Sequence, residues 1–122
     1  MKLKKVAYTI LVCTVALITA NSLVLGRMIA TVTKSVSEAE EVATATAEKE
    51  YTEIYEDFKK KERYISLTVN HNDLMTIENS FAELIGAAKA NDTQSLLIAK
   101  SRLIDALEHL KRLSGINLDS IL

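Results

Sequence analysis

The chain has 122 residues, no proline, three glycines, one cysteine and a formal net charge of −1. That length leaves room for one domain, and the near absence of the two strongest helix breakers predicts an all-α fold without a sheet. The charge balance excludes a dedicated nucleic-acid binder, which needs a basic surplus to displace counterions from phosphates, and a lone cysteine excludes a disulfide framework or a cysteine-based metal site.

Lys2, Lys4 and Lys5 precede an uncharged run from Val6 to Leu25, which Gly26 and Arg27 close. A helix rises ~1.5 Å per residue, so this run matches the ~30 Å hydrocarbon core of a bilayer. Residues 1–5 therefore read as a basic cytoplasmic N-terminus and 6–25 as a single transmembrane helix. Three lysines lie before the span, whereas Arg27 and Lys34 follow it amid Glu38, Glu40 and Glu41, which keeps the N-terminus in the cytoplasm. The alternative is a secretory signal cleaved near the small residues Ala20 and Ser22, releasing the rest of the chain. Against it, the apolar run continues past that site and exceeds the usual ~7–15-residue apolar region. Cys13 follows Ile10, Leu11 and Val12, without the small residue that a lipid-modification site places before its cysteine, and reads as a small apolar packer. Tyr8 suits the aromatic belt at the membrane edge.

Residues 26–49, mainly Ala, Thr, Val and Glu, are expected to carry the membrane helix outward as a helical stalk. Val36, Ala39, Ala43 and Ala47 recur at helical spacing, but alanines bury little area, so this stripe needs a partner to be ordered. These four are the candidate interaction residues. Residues 50–122 are expected to form the extracytoplasmic helical bundle. Past Tyr51, the residues Ile54, Tyr55, Phe58, Ile65 and Leu67 give a stronger apolar face that reaches Val69, and the charges from Glu56 to Arg63 read as its solvated side.

Asn70, His71, Asn72 and Asp73 predict a turn in which Asn or Asp caps the next helix. Leu74, Ile77, Phe81, Leu84, Ile85 and Ala88 then recur at alternating three- and four-residue spacing. Asn91 and Asp92 make the next break, with Asp92 as N-cap of a helix whose apolar side includes Leu96, Ala99, Leu103, Leu107 and Leu110. Lys111, Arg112 and Gly115 are expected to end it, and the tail with Ile116, Leu118, Ile121 and Leu122 to fold back onto the bundle. The expected fold is all-α: an N-terminal transmembrane helix continuing into a long stalk helix, then an antiparallel three-helix bundle. A continuous helix from Gly26 to Val69 would reach ~65 Å, about twice what its shorter partners cover, and would leave an exposed stalk from Arg27 to Glu48.

Chemistry-bearing residues are sparse. Folding the last two helices antiparallel puts position 74 opposite 109, which brings His109 near Asp73 and within a turn of His71. His71, Asp73 and His109 are thus the candidate metal or proton-sensing residues, although no pair of histidines four apart supports a zinc motif. No nucleophile motif and no glycine-rich phosphate loop is present, so the chain reads as a non-enzyme without a cofactor.

The segment from Phe58 onward resembles a family of membrane-anchored proteins labelled domain of unknown function 4363. The resemblance is carried by Val69-Asn-His71-Asn-Asp-Leu74, Ile77-Glu78 and Leu84, then Asn91-Asp92, Leu107-Glu-His109-Leu110 and the ending Asn117-Leu-Asp-Ser-Ile-Leu122. It covers the C-terminal half, with the N-terminal span matched by position only. It departs from the family pattern in having Phe58 and Tyr64 where a tryptophan precedes the histidine. The resemblance implies an anchored helical domain of bacterial origin and assigns no activity or cofactor. Together these readings give an interaction or assembly protein that binds a membrane or envelope protein, or a second copy of itself, through the stalk. The alternative is an extracytoplasmic sensor or ligand-binding module using His71 and His109.

Overall fold

The computed structural model describes residues 2–66 and 69–121, with side chains as far as Arg112. Four helices follow one another: α1 Lys2–Glu38, α2 Ala45–Ile65, α3 His71–Lys89 and α4 Thr93–Ile121. The all-α expectation and the long N-terminal helix with three further helices are as observed. Each helix packs on two neighbours, in the ring α1, α2, α3, α4 and back to α1.

The ring is antiparallel throughout. Tyr51, near the start of α2, donates its hydroxyl to the Glu40 carbonyl at 2.6 Å, whereas Tyr64 in its last turn donates to Asn21 Oδ1. The chain therefore doubles back after Glu38. On α4, Lys100 reaches the Ala39 carbonyl while Glu108 and Lys111 lie beside Ala30 and Lys34. The core repeats at three- and four-residue spacing on every helix: Leu25, Ile29, Val32 and Val36 on α1, Leu74, Ile77, Phe81 and Leu84 on α3, Leu96, Leu103, Leu107 and Leu110 on α4. Each fully buried side chain of this size contributes about 1.5–3 kcal/mol. On α2, Phe58 stacks 5.6 Å from Phe81, and the half-buried Tyr55 approaches the same ring at 5.1 Å.

Two expected boundaries differ. The helix foreseen from Gly26 to Val69 is broken at residues 39–44, where Glu38, Glu40 and Glu41 crowd the negative end of the α1 dipole and the last turn of α1 has no basic residue of its own. Thr44 then starts α2, its side chain accepting from the Ala47 N–H at 3.2 Å with Glu48 in the first turn. Residues 27–48 consequently form no exposed stalk; the outer half of α1 is one wall of the bundle. At the other end, α4 does not stop at Gly115 but continues as helix through Ile121, since an internal glycine costs only ~1 kcal/mol and no proline follows to block the next turn. Leu67 and Leu122, both assigned to apolar faces from the sequence, lie outside the described residues.

The turns between later helices follow the sequence closely. Asn70 caps α3 by accepting from the Asn72 N–H at 3.0 Å. After α3 the chain turns at Asn91, whose φ of 56° is the left-handed conformation that asparagine tolerates better than most residues. There the Asp92 N–H bonds the Ala87 carbonyl and the Asn91 N–H bonds the Ala88 carbonyl, closing the helix end. Asp92 in turn caps α4 through the Ser95 N–H and hydroxyl, and those hydrogen bonds hold its carboxyl below the usual aspartate value.

Candidate functional site

The residues chosen as interaction candidates are all internal. Val36, Ala39, Ala43 and Ala47 are buried where α1 gives way to α2. Their small side chains let the turn close tightly, so the partner that the alanine stripe needs is this chain's own α2 and α4. Nothing of the stripe is left for another protein to grip.

Three long-range bonds clamp that turn. Lys100 of α4, only 6% exposed, donates to the Ala39 carbonyl at 2.9 Å. Thr93 accepts from the Ala43 N–H at 3.1 Å, and Tyr51 holds Glu40. Burial, and then the charges of Glu50, Glu41 and Glu40, push the Tyr51 phenol up to about 12. Two carbonyls and one N–H of the connecting segment are thereby satisfied inside the molecule. Sequence reading missed the clamp, although Lys100 occupies a core position between Leu96 and Leu103, which is an anomaly readable from spacing alone.

The candidate polar site lies on α3 and α4. Asp73, Thr76, Asn79, Ser80 and Glu83 face Arg102, Asp105 and His109 across an open groove of about 500 Å³. His109 Nε2 stands 4.0 Å from Asp73 Oδ1, an ion pair whenever the imidazole is protonated, and Arg102 approaches Glu83 at 3.4 Å. The Ser80 hydroxyl is committed to the Thr76 carbonyl at 2.8 Å. The expected approach of His109 to Asp73 is thus observed.

His71 does not join them. It is the exposed first residue of α3, and its charge acts on Glu62 of α2. The two histidines belong to different seams of the bundle, and among the described residues no group of three or more His, Cys, Asp or Glu is placed to hold a metal ion. The α2–α3 seam has a feature of its own: Glu62 shares a hydrogen bond with Glu78, which with burial and the Glu78 charge raises the Glu62 carboxyl above its ordinary value, against the opposing effect of Lys59 and His71.

The first half of α1 is a different kind of surface. It contains a stretch long and apolar enough to cross a membrane, almost all of it exposed. Its threonines return their hydroxyls to the helix: Thr9, Thr14 and Thr19 donate to the carbonyls of Lys5, Ile10 and Val15, each at 2.8 Å. Asn21 already meets Tyr64 of α2, and Leu25, assigned to the span from sequence, is buried in the bundle. The apolar helix and the bundle therefore meet with no spacer between them.

These features define a four-helix-bundle protein carried on a long apolar leading helix. The family model described as Domain of unknown function (DUF4363) matches residues 14–121, and the chain belongs to that family. The match extends the resemblance seen in the C-terminal half across α2 and the part of α1 from residue 14 onward. No curated protein and no solved structure matches the chain.

Proposed function

We propose that the chain is a non-enzymatic interaction module anchored by α1, with its N-terminus cytoplasmic and its bundle presented outside the cytoplasm to another membrane or envelope protein, or to a second copy. The observation that carries this reading is the continuity of α1. One uninterrupted helix exposes an apolar half, with its threonine hydroxyls satisfied internally, and lends its other half to the bundle core. A bundle built this way is held rigidly with respect to whatever surrounds the apolar half. With Val36, Ala39, Ala43 and Ala47 buried, we assign the partner surface to the open α3–α4 groove.

The test joins two measurements on the full chain in cells. Resistance to alkaline extraction, with external protease cutting the bundle but not an N-terminal tag, supports the anchor and its orientation. A soluble, truncated product starting near Asn21 supports signal cleavage and secretion instead. Pull-down through the tag from mildly solubilised membranes should then recover a stoichiometric membrane protein that is lost with Arg102→Glu. Recovery of the chain alone overturns the interaction reading.

A second reading is favoured by the Asp73–His109 pair: an extracytoplasmic sensor in which protonation of His109 tightens the α3–α4 seam. It expects the His109 ring resonances to titrate together with those of α3, and calorimetric heat on adding zinc would extend the reading to metal. Silence in both measurements removes it.

A further inference from the structure

The helix register gathers basic side chains at the end of the bundle from which the apolar half of α1 emerges. Lys59, Lys60, Lys61 and Arg63 lie in the last two turns of α2, beside the Tyr64–Asn21 contact. Arg27 of α1 lies close by. On α4, Lys111 lies further along α1, beside Ala30, Lys34 and Glu38. These basic side chains are all exposed except the partly covered Lys61, which pairs with Asp57 at 3.0 Å, and Lys59 also lies over the Tyr55 ring. Acidic side chains share this end: Asp57 pairs with Lys61, and Glu62 with Glu78 lies on the neighbouring α2–α3 seam. The far end is richer in acid: Glu38 closes α1, Glu40 and Glu41 follow it, and Glu48, Glu50 and Glu53 open α2, against Lys49 and Lys100. A net charge of −1 hides a bundle with one basic and one acidic pole.

The basic pole is continuous with the exposed apolar helix. Arg27 is six residues beyond Asn21, which meets the end of α2 through Tyr64, or ~9 Å along the helix. Headgroups occupy a layer of ~5–7 Å on either side of a ~30 Å hydrocarbon core, so this spacing sets the cationic rim against the phosphates. We propose that the rim is a docking surface for anionic phospholipid headgroups, which press the base of the bundle onto the membrane. The proposal rests on the anchored reading above and holds for either orientation. Each Lys or Arg near an anionic surface favours the bound arrangement by about fivefold, an attraction that decays within a Debye length of ~8–10 Å and is therefore weakened by salt.

The test uses the full chain carrying Cys13→Ala and Ser66→Cys, spin-labelled at position 66 beside the rim. It is reconstituted in nanodiscs of phosphatidylcholine with or without phosphatidylglycerol, and collision with a water-soluble nickel chelate reports the depth of the label. The label is expected to be shielded in anionic discs at low salt, and to become at least tenfold more accessible when phosphatidylglycerol is omitted, when salt is raised, or in K59Q/K60Q/K61Q/R63Q. K59R/K60R/K61R keeps the charge and should behave as the parent. Equal accessibility in both disc types, indifference to salt, or label–label broadening from a second copy overturns the proposal. A chain that is not retained in discs of either lipid defeats the anchored reading itself, whereas one retained but indifferent to lipid charge defeats the rim alone.

Discussion

Lys100 occupies a core position but spends its charge on a backbone carbonyl. Its two contacts differ in weight. The bond to the Ala39 carbonyl is buried, whereas Glu41, at 3.7 Å, has a side chain that is 71% exposed. Exposed ion pairs contribute about 0–1 kcal/mol, while stranding a buried acceptor costs about 1–3 kcal/mol. Lys100→Met, which keeps the apolar stem, should therefore lower unfolding stability of the full chain in micelles by about 1–3 kcal/mol, and Glu41→Gln should barely change it. A Lys100→Met chain as stable as the parent would mean that desolvating the ammonium cancels its bond. Gly86 gives the opposite case: it lies on the exposed face of α3, and a Cβ there would meet nothing within 4 Å. Gly86→Ala should raise stability by about 0.5–1 kcal/mol in the same unfolding assay, through a smaller loss of backbone entropy.

At the scale of the elements, the α2–α3 seam carries a carboxyl whose proton is held by a second carboxyl. Glu62 is raised above its ordinary value because Glu78 holds its proton in a shared hydrogen bond. A carboxyl raised in the folded state stabilises the fold fully below its unfolded pKa and loses that contribution as pH rises through the higher folded value. The seam should thus tighten on acidification from neutrality, where most carboxylates work in the reverse sense. Glu78→Gln should return the Glu62 carboxyl carbon to ordinary titration by NMR and flatten the acid gain in stability; an unchanged Glu62 midpoint would remove Glu78 as the cause. Such a cross-helix pair is invisible to sequence reading, because nothing local distinguishes Glu62 from the solvated charges around it. The neighbouring turns were legible for the converse reason. Asn70 and Asp92 act on N–H groups two or three residues ahead, so the signal and its effect share one stretch of chain.

For the molecule as a whole, the decisive question is whether α1 and α2 make one extended rod or a hairpin. Between Ala39 and Thr44 the chain offers no glycine and no proline, so local propensity favours continuing the helix. What reverses it is remote, since Tyr51, Thr93 and Lys100 satisfy the carbonyls and N–H that the break exposes. The candidate site shows the same division. His109 and Asp73 could be paired on paper because one short turn sets their register, whereas the burial of Val36, Ala39, Ala43 and Ala47 depends on a fold-back that the local acidic cluster permits but only remote side chains hold. The two shapes differ by a distance that can be measured. In a continuous helix, positions 27 and 63 would stand ~54 Å apart, whereas in the hairpin they lie on adjacent helices whose axes are ~8–10 Å apart. Spin labels at Arg27→Cys and Arg63→Cys in a Cys13→Ala chain should therefore give an electron–electron distance below about 25 Å once label arms are added to that axis spacing. In K100M the distribution should broaden toward longer values as the clamp loosens. A single population near the extended distance would return residues 27–48 to an exposed stalk and free its alanine stripe for a partner.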